Sequence, residues 1–132
     1  MNTRTAACSC GQLTLATEAN PIRVSICHCL ACQRRTGSVF GAQARFEKSK
    51  VTISGESSEY IRIGDEGSKV VFSFCPKCGS TVHYAVVGYD EESIAVPVGA
   101  FADPNFPGPT FSVYEERMHA WVGLPTGIEH MA

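Results

Sequence analysis

Apolar and polar side chains alternate at a period of two along most of this chain. Residues 12–18 (Gln-Leu-Thr-Leu-Ala-Thr-Glu) and 22–26 (Ile-Arg-Val-Ser-Ile) both carry the alternation, the pattern of strands with one face in a core and one in water. Asn20-Pro21 separates them with turn chemistry, so these two strands are expected to pair with each other. Strand-like runs recur at 39–46, 51–54, 60–63, 70–74, 81–87, 93–98 and 111–114, with Gly55 and Gly64-Asp65 as breaks. Residues 30–35 lack glycine and proline and predict a short helix ended by Gly37. The segment 103–109 is too rich in proline for either regular element. With no repeat, no linker and no amphipathic helix of ordinary length, the expectation is a mainly β chain with one or two short helices, forming a single domain over residues 1–132.

The strand pattern breaks where the cysteines stand. Cys8-Ser9-Cys10-Gly11 precedes the first strand, Cys27-His28-Cys29-Leu30-Ala31-Cys32 follows the second, and Cys75-Pro76-Lys77-Cys78-Gly79 lies between the runs 70–74 and 81–87. Together they hold all 7 cysteines of the chain. The two-residue gap in Cys75–Cys78 lets the chain fold back so that both sulfurs point at one ion, and Gly79 supplies the permissive backbone of a tight knuckle. Because Cys8-Ser9-Cys10 also ends in glycine, the two knuckles are expected to join as a four-thiolate zinc site, the second forming the turn of a β-hairpin. A structural zinc contributes on the order of 10 kcal/mol to folding in small zinc-dependent units.

The remaining thiols, Cys27, Cys29 and Cys32, are one short of a tetrahedron. Cys27 and Cys29 would face apart on a regular strand, so they share an ion only if the chain turns after Ile26. Cys32, one helical turn on, then completes a pyramid. Two readings follow: a zinc with an open position for water or substrate, or a closed site in which His28, His83 or His119 supplies the fourth ligand. In the open reading an entering thiol is acidified and held as thiolate, a nucleophile suited to an aldehyde. His28, between two ligands, is expected to point away from the metal as a hydrogen-bonding neighbour.

Composition narrows the partners. An odd number of cysteines behind an N-terminus without an apolar h-region argues for reduced thiols, metal binding and a cytoplasmic location rather than a disulfide framework. No apolar run is long enough to span a bilayer. The net charge of −2 and pI near 6.1 offer no general attraction for phosphates, so no nucleic-acid partner is expected.

The order Cys-x-Cys-Gly, then Cys27-His28-Cys29-x-x-Cys32 followed by Arg35-Thr36-Gly37, then Phe74-Cys75-Pro76-x-Cys78-Gly79-Ser80, resembles the glutathione-dependent formaldehyde-activating enzyme (GFA) family, the centromere protein V-like domain. The resemblance spans nearly the whole chain. It implies a β-tent of antiparallel sheets similar to the Mss4-like fold, a structural zinc on Cys8, Cys10, Cys75 and Cys78, and a catalytic zinc on Cys27, Cys29 and Cys32. It also implies carbon–sulfur lyase chemistry, run as S-(hydroxymethyl)glutathione formation from formaldehyde and glutathione. The chain departs from the family where members often carry a histidine after the proline-rich segment, here Ser112, and where Met118-His119-Ala120-Trp121 replaces a segment ending in Ala-Pro-Trp.

Arg34 and Arg35 follow the open-site cysteine and have the fork geometry to pair with the carboxylates of a glutathione-like tripeptide, set against a plain solvated helix face. His119 and Trp121 are candidates to wall a pocket or simply to pack, and Glu115-Glu116 is expected to be a solvated strand end. Two functions remain: an enzyme joining a small aldehyde and a thiol, or a non-catalytic zinc module that binds another protein.

Overall fold

The computed structural model of the chain describes residues 3–64, 67–88 and 91–131. Asp65, half of the expected Gly64-Asp65 turn, lies outside them. The strands follow in the order β1 (Arg4–Ala7), β2 (Thr14–Thr17), β3 (Arg23–Cys27), β4 (Gly41–Glu47), β5 (Val51–Ser54), β6 (Ser58–Ile63), β7 (Lys69–Phe74), β8 (Thr81–Val87), β9 (Ser93–Pro97), β10 (Phe111–Val113) and β11 (Glu129–Met131), with helix α1 (Leu30–Thr36) between β3 and β4. The mainly β expectation holds. Three short 3₁₀ turns, Lys48–Lys50, Val98–Phe101 and Glu115–Arg117, complete the regular structure.

Two sheets divide the strands. A three-stranded sheet runs β1-β2-β5, and an eight-stranded sheet runs β11-β10-β3-β4-β9-β8-β7-β6. Pairing is antiparallel except for β10, which lies parallel to both β3 and β11. Alternation builds the core between the sheets: Ala6, Leu13 and Leu15 on the small sheet's side join Val24, Phe46, Val82 and Val96 of the large one in a single buried cluster. Phe101 and Phe106 close its rim, their rings stacked at 4.7 Å. Cys8 and Cys75 are part of this cluster, so the quartet of cysteines is continuous with the core.

The expected pairing of the first two alternating runs does not form. β2 lies between β1 and β5, while β3 lies between β10 and β4. The alternation was a statement about which face is buried, and β2 satisfies it, with Leu15 in the core between half-exposed Thr14 and Ala16. β3, flanked by strands on both sides, buries Ser25 as well as Val24 and Ile26, and Ile22 just before it is exposed. Partner choice follows from elsewhere. The Ile22 N–H donates to the Arg45 carbonyl at 2.6 Å, committing the chain to β4 before β3 begins.

Candidate metal centres and an arginine-lined cavity

Each knuckle of the quartet is closed by backbone hydrogen bonds at equivalent places. Gly11 N–H donates to the Cys8 carbonyl at 3.0 Å and Gly79 N–H to the Cys75 carbonyl at 2.8 Å. Both glycines have φ above +80°, the left-handed region that favours a residue without Cβ. The sulfurs of Cys8, Cys10, Cys75 and Cys78 all lie within 4.8 Å of one another. Cys8 and Cys10 are 3.6 Å apart and Cys10 and Cys75 3.7 Å; a tetrahedron of 2.3 Å zinc–sulfur bonds requires about 3.8 Å between ligands. This donor set fits a metal ion.

Donors already surround these sulfurs as they would thiolates. Leu13 N–H reaches Cys8 Sγ at 3.3 Å, Lys77 N–H reaches Cys75 Sγ at 3.3 Å, and Gln12 Nε2 reaches Cys75 Sγ at 3.0 Å. The Ser80 backbone N–H, with that of Cys10, draws the Cys78 thiol down to about 5. Ser9 and Ser80 tie the two knuckles together, Oγ to Oγ at 2.8 Å.

The trio is built by the junction of β3 and α1. Cys27 ends β3 opposite Gly41 of β4 and Val113 of β10. The chain then turns: Cys29 is the N-cap of α1, its Sγ accepting the Cys32 N–H at 3.3 Å. A cap and the residue three places on share one side of a first helical turn, which brings the two sulfurs together. Gly37 ends the helix at φ 71°, its N–H on the Gln33 carbonyl, as its position in the sequence predicts. The sulfurs of Cys27, Cys29 and Cys32 lie within 4.8 Å of one another, and among the described residues no histidine or carboxylate joins them. Hydrogen bonds from the Cys27 thiol, and then Cys32, hold Cys29 down to about 2, while the same contact pushes Cys27 far up.

Among the described residues, none of the three histidines named as alternative fourth ligands joins the trio. His28, fully buried, turns away from the sulfurs and its Nε2 meets Ser112 Oγ at 3.0 Å. His83 lies on β8, where burial lowers its pKa. His119 meets Gln33 Oε1 at 3.0 Å and Trp121 edge to face, and Trp121 is 73% exposed, so this pair packs at the surface.

A cavity of about 690 Å³ opens between the two clusters. Leu30, Ala31, Arg34 and Arg35 line it from the helix that carries the trio, and Gly79 and Thr81 from beside the quartet. Tyr60 and Phe72 in its lining belong to an aromatic row across three strands that Tyr84 completes behind them; the three stand in register, with ring centroids 6.5 Å and 5.0 Å apart. Arg35 lies over this row, its guanidinium carbon 4.9 Å from the Tyr84 ring and 5.4 Å from Phe72. Gly41 leaves the room for it, since a Cβ there would stand 3.2 Å from Arg35 Nη2 and 3.5 Å from Cys32 Cβ. Burial raises the Tyr84 phenol above its usual range, so it stays neutral. Arg34 also lines the cavity but is exposed.

Sequence reasoning missed two features. Arg62, on the edge strand β6, brings a second half-buried guanidinium to the cavity, 5.8 Å from Phe72. Its place on the same face as Tyr60, two residues away, was the available signal. Glu115 is not a solvated strand end: it starts a 3₁₀ turn and takes hydrogen bonds from Ser112 and His130, which hold its carboxyl below the usual range. The parallel placement of β11 beside β10 creates that contact.

Two groups of thiols with metal-ligand geometry on a two-sheet β fold, one of them joined to a helix that lines a cavity, define a protein whose cysteines are arranged to hold metal. The sequence profile of the family described as "Glutathione-dependent formaldehyde-activating enzyme" matches residues 3–117, and the chain belongs to that family. No curated protein matches it. A crystal structure of a Rhodobacter sphaeroides protein is similar at 23% identity and a TM-score of 0.55, over 73% of this chain and 85% of that one, which shows a shared fold. Among the described residues no helix is long and apolar enough to cross a membrane.

Proposed function

We propose that the chain is a zinc-dependent carbon–sulfur lyase that joins the thiol of glutathione, or a similar cosubstrate, to a small aldehyde such as formaldehyde, and runs the reverse cleavage. In this reading Cys8, Cys10, Cys75 and Cys78 hold a structural zinc, and Cys27, Cys29 and Cys32 hold a catalytic one. The observation that carries it is a trio of thiols with no fourth described ligand, placed beside a cavity whose volume suits a ligand of glutathione's size. A zinc ion with three thiolate ligands lowers the pKa of an incoming thiol and holds it as the nucleophile.

The chain's own residues do the rest. Cys29, capping α1, and Cys27, pinned between β4 and β10, hold the ligand set rigid. Arg35 supplies positive charge next to a site whose three thiolates leave a net −1 on a divalent ion. The addition needs no oxidant: sulfur bonds to the carbonyl carbon, the C=O π pair moves to oxygen, and oxygen takes up the proton the thiol gave away. Family membership supports the reaction type, and the cavity supports the size of the thiol.

Metal analysis of the purified protein tests this. The expected result is two zinc ions per chain, one exchanging when millimolar glutathione is added, with S-(hydroxymethyl)glutathione forming faster from ¹³C-formaldehyde than without protein. Two inert zinc ions, unaffected by thiol, with no acceleration, would instead make the protein a non-catalytic zinc module for protein interaction.

A further inference from the structure

Three arginines line the cavity, Arg34 exposed and Arg35 and Arg62 half-buried. Among the described residues, neither Arg35 nor Arg62 makes an ion pair. Both stand within 6 Å of the Phe72 ring, Arg35 from α1 and Arg62 from β6, so the cavity carries positive charge from two of its walls. Arg62 Nε is buried and has no hydrogen-bond partner. A buried N–H of a charged group left unpaired is costly, and a ring face does not satisfy it in the way an oxygen does. Arg62 as a whole lines the cavity, and an acidic group that enters there is the natural partner of its guanidinium. The rest of the lining, Tyr60, Phe72, Phe74 and Leu30, is aromatic or aliphatic and suits the body of a larger molecule rather than a lone ion.

We propose that Arg62, with Arg35, is the specificity-determining carboxylate clamp of this site, holding a carboxylate of the thiol substrate over Phe72 while the sulfur end reaches Cys27, Cys29 and Cys32. This rests on the thiol-addition reading given above and adds to it a residue that selects for the substrate's carboxylate and that the cysteine motifs do not include. Position supports it. A Cβ on Gly41 would stand 3.2 Å from Arg35 Nη2 and 3.5 Å from Cys32 Cβ, so Arg35 adjoins the trio, and Arg62 shares the Phe72 ring with it. Arg62 also sits on the sheet's edge strand.

The test uses S-methylglutathione, whose capped sulfur removes thiolate ligation, and its dimethyl ester, which also lacks the carboxylates. Binding to the zinc-loaded protein is measured by calorimetry, and the Arg62 Nε–H signal is followed by ¹H–¹⁵N NMR. The expected result is that the diacid moves that signal and binds about ten-fold or more tighter than the diester, the worth of a charge-assisted hydrogen bond. In Arg62→Gln the two should bind alike, while Arg34→Gln retains the preference. Equal binding of diacid and diester to the unaltered protein would overturn the clamp, and needs no variant to be folded. So would an equal loss of both ligands in Arg62→Gln, which marks a merely structural role. If glyoxylate moves the Arg62 signal and S-methylglutathione does not, the carboxylate belongs to the carbonyl partner and the assignment to the thiol is overturned. None of these outcomes depends on zinc exchange or product formation, so failure here is distinct from failure of the proposed reaction.

Discussion

The imidazole of His28 and the hydroxyl of Ser112 meet at 3.0 Å across 84 residues of sequence, both fully buried. The bond ties the turn between Cys27 and Cys29 to β10, and the His28 N–H on the Val113 carbonyl at 3.1 Å repeats the tie through the backbone. Nδ1 of the same ring has no hydrogen-bond partner, so Ser112 is the side chain that satisfies it. Ser112→Ala should therefore cost roughly 1–3 kcal/mol, the penalty of a buried polar group losing its partner. Urea unfolding of the zinc-loaded protein checks it; an unchanged midpoint would show that the contact carries no stability.

The two cysteine clusters should fail differently. Cys75 is fully buried in the core, so Cys75→Ser removes a proposed ligand of the structural zinc from the middle of the packing, and the product should be unfolded or insoluble. Cys29 is half-buried at a helix cap, and Cys29→Ser keeps a good capping side chain. That variant should fold and lose only the exchangeable zinc. Circular dichroism with metal analysis separates the cases, and equal collapse of both variants would refute the division of labour.

Gly55 cannot carry a side chain. Its φ is 103°, and a Cβ there would stand 2.0 Å from the Gln12 carbonyl oxygen. Gln12 is fixed in turn, bonding the Glu56 backbone at both ends of its amide and Cys75 Sγ with the same Nε2. Gly55→Ala should cost at least about 1–3 kcal/mol from backbone strain alone and loosen the quartet through Gln12. Faster zinc loss to a chelator, measured beside the melting temperature, is the expected signature.

Glu115 makes stability depend on acid. Hydrogen bonds from Ser112 and then His130 lower its pKa in the folded protein. The stabilisation is complete above the unfolded carboxyl's pKa of about 4.3 and is lost as pH falls toward the depressed folded value. Glu115→Gln should flatten that part of the stability curve and leave the neutral-pH fold intact. An identical acid limb in both proteins would place the titration elsewhere.

Much of this was legible in local sequence. Cysteine spacing, the glycines after each knuckle, the strand runs and the Gly37 stop on α1 are set by bonds and steric limits within a few residues, and those features appear where the pattern puts them. β1 and β11 escaped notice because short segments such as Arg4-Thr5-Ala6-Ala7 carry little strand preference of their own and are extended by the neighbours they pair with.

By itself, then, the chain's sequence determined where most strands and turns fall, and that its sulfurs stand in groups of four and three. Only the tertiary structure decided which strands are neighbours, separating β2 from β3, and which distant side chains share a space: Arg62 with Arg35, Ser112 with His28, Glu115 with His130. Alternation specifies a face but not a partner, because any half-buried strand can satisfy it. Partnership depends on contacts among residues far apart in the chain, made when the sheets close over a common core.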